Sequence, residues 1–110
     1  MEQNSVLHHI AIATCEYDKY VMFFQSIGMN EQKRSGIKPN RQFWFKQGIQ
    51  IKEVSSYDSN YAVDHIALCA CDSKKVVEQA SQFGCLLSEI DDNWFVLSNG
   101  ISIELINGEK

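Results

Sequence analysis

Two histidines sit in nearly the same six-letter context: residues 8–13 read HHIAIA and residues 64–69 read DHIALC. An imidazole is the side chain readiest to ligate a transition metal or to move a proton near neutral pH. A third candidate is Glu104, in the stretch NGISIELI close to the end of the chain. None of the three carries chemistry alone. A histidine at a strand start is more often a hydrogen-bonded structural residue, and a glutamate near a strand end is more often solvated. Their weight depends on the elements that hold them.

Those elements repeat. From His9 to Gly28 is 19 residues, and from His65 to Gly84 is again 19. The stretches His9–Ala13 and His65–Cys69 alternate with period two, which predicts a strand with two different faces. A helix follows each. In the first half Thr14 is the expected cap, Glu16 lies in the opening turn, and Tyr17, Tyr20, Val21, Phe24 and Ile27 recur at helical spacing before Gly28. In the second, Asp72 or Ser73 caps, Val76, Val77, Ala80 and Phe83 form the stripe, and Gly84 closes it. Strands are then expected near Glu31–Ile37, Arg41–Lys46 and Gly48–Lys52, and near Cys85–Ile90, Asn93–Leu97 and Gly100–Glu104. Gln47-Gly48 and Asn99-Gly100 mark the hairpin turns. Aligning the turn glycines, GIQIK on GISIE, sets Lys52 opposite Glu104 and leaves Glu53 one residue late, on the other face of its strand.

Strand alternation also sorts the candidates. His9, Ala11 and Ala13 share one face, as do His65, Ala67 and Cys69, and the small side chains beside each histidine leave room for a cavity. Ser102 and Glu104 point away from the packed face of Ile101, Ile103 and Leu105. Gln50 has the parity of Lys52 and can offer an amide oxygen to a ligand or an ion. Trp44 and Trp94 oppose the phenylalanine set of Phe43, Phe45 and Phe95, so they can wall the cavity, stack on a planar ligand, or simply pack. His8 points opposite to His9 and is read as structural or exposed.

The bulk composition limits the rest. At 110 residues, 45% hydrophobic and 22% charged, the chain has the makeup of one globular domain. A net charge of -4, with lysines and arginines scattered rather than clustered, argues against nucleic acid as a partner. No stretch approaches the roughly 18 apolar residues of a membrane span, and a cytoplasmic protein is expected. Cys15, Cys69, Cys71 and Cys85 form no Cys-x-x-Cys pair and are read as reduced, mostly buried thiols.

Two tandem βαβββ units, with HIALCACD opening the second and NGISIELI closing it, resemble the vicinal oxygen chelate superfamily. That group holds glyoxalase I, methylmalonyl-CoA epimerase, extradiol dioxygenases, fosfomycin-resistance proteins and bleomycin-binding proteins. The resemblance covers nearly the whole chain. It implies an α+β fold in which two tandem βαβββ modules form a curled mixed sheet around a central cavity. Module one is expected at about residues 5–54, a linker at 55–60 and module two at 61–107, all in one domain. The resemblance further implies that His9, His65 and Glu104 meet as ligands of a divalent metal (Fe, Mn, Ni, Co or Zn) with positions left open for substrate.

Lys52 departs from that pattern, because a unit positive charge about 4 Å from a divalent ion costs on the order of 8 kcal/mol at an effective dielectric near 20. Three arrangements follow: Lys52 turns to solvent, acts as a neutral base, or pairs with Glu104 in a metal-free pocket. The candidate residues are therefore Glu104 and Lys52 for catalysis, Gln50, Trp44 and Trp94 for binding, and His9, His65 and Glu104 for metal. The expected activity is that of a divalent-metal-dependent enzyme chelating vicinal oxygens of a small substrate, as an isomerase, lyase or dioxygenase. The alternative is a metal-free small-molecule or antibiotic-sequestering protein using the same cavity. Glyoxalase I itself is disfavoured by Lys52, and a dioxygenase by the short chain. Family members commonly cover their sheet edges by pairing, so a homodimer is expected.

Overall fold

Residues 5–56, 63–89 and 91–107 are described by the computed structural model. The element order is β1 (Val6–Thr14), α1 (Tyr17–Ser26), β2 (Glu31–Ser35), β3 (Gln42–Phe45), β4 (Ile49–Glu53), β5 (Val63–Ala70), α2 (Ser73–Gln82), β6 (Leu86–Leu87), β7 (Trp94–Val96) and β8 (Ser102–Asn107). This is strand, helix and three strands, twice over, in an α+β protein. The chain divides into a first unit, His9–Asp64, and a second, His65–Lys110 together with Met1–His8. Ser55 and Ser56 of the expected linker are described; its positions 57–60 lie outside the described residues, as does Ile90.

In the first unit the strands run in the order β2-β3-β4-β1. β1 and β4 are parallel, while β2–β3 and β3–β4 are antiparallel. A parallel pair needs a long crossover, and α1 with β2 and β3 supplies it. Alternation along the strands sends Phe43, Phe45 and Ile51 to one face, where they meet Tyr17 and Val21 of α1, with Ile12, Tyr20 and Phe24 at the margin. The Phe43 and Phe45 rings are 4.7 Å apart and Phe24 lies 5.7 Å from Phe45, distances at which aromatic pairs attract beyond simple burial. Burying each such side chain stabilises by about 1.5–3 kcal/mol.

The second unit repeats the order as β5-β8-β7-β6, with β5 parallel to β8. Its core is Ala80, Phe95, Ile103 and Leu105, lined by Ile66, Leu68, Val76 and Val77. Gly48 and Gly100 take positive φ of 106° and 96° in the two hairpin turns, the conformation that β-carbon sterics reserve for glycine.

Local details depart from the expectations. α1 begins at Tyr17 with Glu16 as its N-cap and no side-chain cap, and Asp18 is the acid of its first turn. Thr14 ends β1 instead; its Oγ1 accepts from the Glu16 amide at 2.9 Å. In the second helix Asp72 does cap, accepting from the Lys75 amide at 3.2 Å. Ile27 and Phe83, placed on the apolar stripes, are the C-cap residues and are exposed, because the chain leaves helical geometry there. The strand expected near Cys85–Ile90 shrinks to Leu86 and Leu87, which face a β7 of three residues. Cys69 is buried as expected, but Cys15 and Cys71 are exposed. Among the described residues, no helix is long and apolar enough to cross a membrane.

Candidate metal centre

The parallel register of the second unit pairs Ala67 with Glu104, and the antiparallel one pairs Trp94 with Glu104. His65 stands two residues before Ala67, hence on the same face, and is buried at 8% exposure. Its Nε2 lies 3.5 Å from Glu104 Oε1. That is long for a strong hydrogen bond. Two donors sharing a tetrahedral ion at about 2.0–2.2 Å would stand roughly 3.3–3.6 Å apart, so the separation suits two ligands of one metal. The Trp94 ring meets the imidazole edge-on, centroids 5.1 Å apart at 69°, and restricts its rotation. Ala67, fully buried beside them, adds no bulk.

The first unit carries the same frame. His9 stands two residues before Ala11 in β1, and Ala11 pairs with Gln50, which pairs in turn with Trp44. Gln50 therefore occupies the place that Glu104 holds in the other module. The expectation that Lys52 corresponds to Glu104 is corrected. Its cause is turn length: Trp44 to its partner Gln50 spans 6 residues, whereas Trp94 to Glu104 spans 10. Aligning turn glycines across hairpins of unequal length slips the register by two and keeps parity, which hid the error. A usable signal was present in the local pattern, since Ile49-Gln50-Ile51 and Ile103-Glu104-Leu105 each set one polar residue between two aliphatic ones.

Gln50 is 4% exposed. Its Nε2 donates to Gln42 Oε1, while its own oxygen accepts no hydrogen bond from any described residue. A buried amide oxygen without a donor costs free energy, and a cation is one way to satisfy it. The donor types present in the two frames, imidazole with amide oxygen and imidazole with carboxylate, suit a divalent ion of the Mn to Zn series.

Lys52 shares the Gln50 face, next to Ala13 and Gln42, and its Nζ sits 3.3 Å from both oxygens of Asp64. Its described partner is thus Asp64. Lys33 Nζ lies 4.5 Å above the Trp44 ring, a cation–π contact that covers one face of the indole. Glu53 is on the helix side, as its parity required. No bulge redirects it. Arg41 clamps it through Nε at 2.9 Å and Nη2 at 2.8 Å, and that guanidinium holds the Glu53 carboxyl down to about 2 from 4.5.

The chain matches no protein-family profile, and no curated protein matches it in sequence. Solved structures do resemble it. A hypothetical protein from Bacillus halodurans C-125 superposes with a TM-score of 0.65 at 14% identity, over 97% of this chain and 96% of that one. Methylmalonyl-CoA epimerase from Streptomyces coelicolor, in complex with 2-nitronate-propionyl-CoA, gives 0.64 at 18% identity over 93% of each chain. The 2,2',3-trihydroxybiphenyl 1,2-dioxygenase of Sphingomonas wittichii strain RW1 gives 0.67 at 16% identity, over 98% of this chain but only 44% of the dioxygenase. A glyoxalase/bleomycin resistance protein/dioxygenase superfamily member from Vibrio splendidus 12B01 gives 0.63 over 97% of this chain and all of its own. At these identities the likeness is one of fold, and the chain has the vicinal oxygen chelate fold seen in structures of the glyoxalase/bleomycin resistance protein/dioxygenase superfamily.

Proposed function

We propose that the protein binds a divalent metal through His9, Gln50, His65 and Glu104 and uses it to hold a small substrate by two adjacent oxygens. The observation that carries this reading is the matched pair of frames. In one, the His65 and Glu104 donors are spaced as co-ligands; in the other, Gln50 presents a buried oxygen with its amide nitrogen already engaged. His9 lies in β1 as His65 lies in β5, each followed two residues later by an alanine paired to the amide or the acid. With Gln50 in the place that Glu104 holds in the other module, the objection raised by Lys52 falls away. A bound ion would polarise the chelated oxygens and stabilise negative charge developing on them. Trp94 would hold the His65 ring in place, and Gln42 would hold the Gln50 amide so that its oxygen, not its nitrogen, is offered. Structural neighbours named as an epimerase and a dioxygenase support an enzyme of this superfold, with the reaction class left to the substrate.

Equilibrium titration with Mn²⁺, Co²⁺, Ni²⁺ and Zn²⁺ tests the ligand set. One equivalent should bind per chain, with affinity reduced by two orders of magnitude or more in Glu104→Ala and His65→Ala and similarly in His9→Ala. Undiminished binding by these variants, or no binding by the wild type, would instead favour a metal-free binding protein.

A further inference from the structure

We propose that Lys52 selects substrates bearing a carboxylate or similar small anion next to their chelating oxygens, an inference that rests on the metal reading above and deepens it. Two cross-strand rows share the Gln50 face of the first unit: Lys33–Trp44–Gln50–Ala11 and Ser35–Gln42–Lys52–Ala13. Lys52 follows Gln50 by two residues on that face, roughly 6.6 Å along the strand at about 3.3 Å per residue. Ala13, opposite it, carries only a methyl group.

The ammonium is available to a ligand. The Lys52 side chain is 38% exposed, and its pair with Asp64 is long, 3.3 Å to each oxygen, with the Asp64 side chain itself 28% exposed. Ion pairs of this exposure contribute little to stability, so a metal-anchored carboxylate can join Asp64 or replace it. An ammonium also has three protons to donate, enough to serve both. The arginines of this unit cannot do the same work, since Arg34 is held bidentately by Glu31 and Arg41 by Glu53 and Asp18. Although the chain as a whole carries a net charge of -4, these two rows carry Lys33 and Lys52 and no carboxylate, with Asp64 beside Lys52.

The charge belongs to one module only. Lys52 pairs across to Gln42 and Ala13, and the register-equivalent residue of the second unit is Ile106, paired to Cys69.

The test uses metal-loaded full-length protein and two hydroxamates that chelate identically, glutaric acid monohydroxamate and its terminal amide. Calorimetry on the wild type should show the acid binding about tenfold or more tightly than the amide. Lys52→Met should bring the two within about threefold while leaving amide affinity unchanged, and Lys52→Arg should keep the preference. Equal binding of acid and amide by a wild type that holds metal would overturn this inference alone, as would a preference surviving in Lys52→Met. A wild type that binds no metal would overturn both this inference and the metal reading. Unchanged amide binding and melting temperature in Lys52→Met separate lost selectivity from lost folding.

Discussion

Gln50 shares its face of β4 with Lys52, and its amide nitrogen donates to Gln42 Oε1. Parity alone set His9, Gln50 and Lys52 on one face of their strands and His65 and Glu104 on one face of theirs, because period-two alternation is independent of everything outside the strand. Parity cannot tell Gln50 from Lys52. That choice is set by hairpin register, which depends on how many residues the turn absorbs, and the two turns differ by four. The hydrogen bond from Gln50 to Gln42 was equally hidden, since it joins diagonal neighbours on paired strands. If Gln42 fixes the amide, Gln42→Leu should weaken metal affinity about 10- to 100-fold, the usual cost of losing a partner behind a ligand. Gln42→Glu, which keeps the acceptor, should restore most of it. Metal titration of both variants checks this, and equal affinities across wild type and Gln42→Leu would remove Gln42 from the site.

At the scale of elements, the helices and hairpins were legible because each is specified locally: apolar residues at helical spacing, a glycine at positive φ, aliphatic alternation. What depended on contacts distant in sequence was not. Thr14 has the chemistry of a cap but lies in β1, and Glu53 ties the end of β4 to Arg41, the residue before β3, with Asp18 of α1 on the same guanidinium. Glu53 has a folded pKa of about 2 against 4.5 for the free group, so its stabilisation is complete above about pH 4.5 and is lost as pH falls toward 2. Thermal melts from pH 6 to pH 2 should show Glu53→Gln less stable than wild type at pH 6 and the difference closing in acid. A constant difference across that range would show that the ion pair contributes nothing specific. On the same sheet, Phe45 is 2% exposed and packs against both Phe24 and Phe43. Phe45→Ala should cost about 3–5 kcal/mol in denaturant unfolding, as large-to-small changes in packed cores do; a loss below about 1 kcal/mol would mean that the core collapses around the gap.

At the scale of the whole molecule, the tandem βαβββ repeat was the most legible feature, since two halves in register from histidine to glycine are hard to produce by chance and impose the same topology twice. Quaternary structure is a separate matter. Met22 and Phe23 on the first unit, and Phe83 and Leu86 on the second, are more than half exposed, and apolar surface of this kind often marks contacts between proteins. Sedimentation should show a homodimer of twice the 12.6 kDa chain mass; a monomer at all concentrations would contradict the pairing. Metal binding itself is read from the metal content of untagged protein purified without chelator. About one divalent ion per chain, lost on dialysis against chelator with a fall in melting temperature and regained on adding metal, is the predicted result. Protein that holds no metal, and whose melting temperature no divalent ion raises, would contradict it.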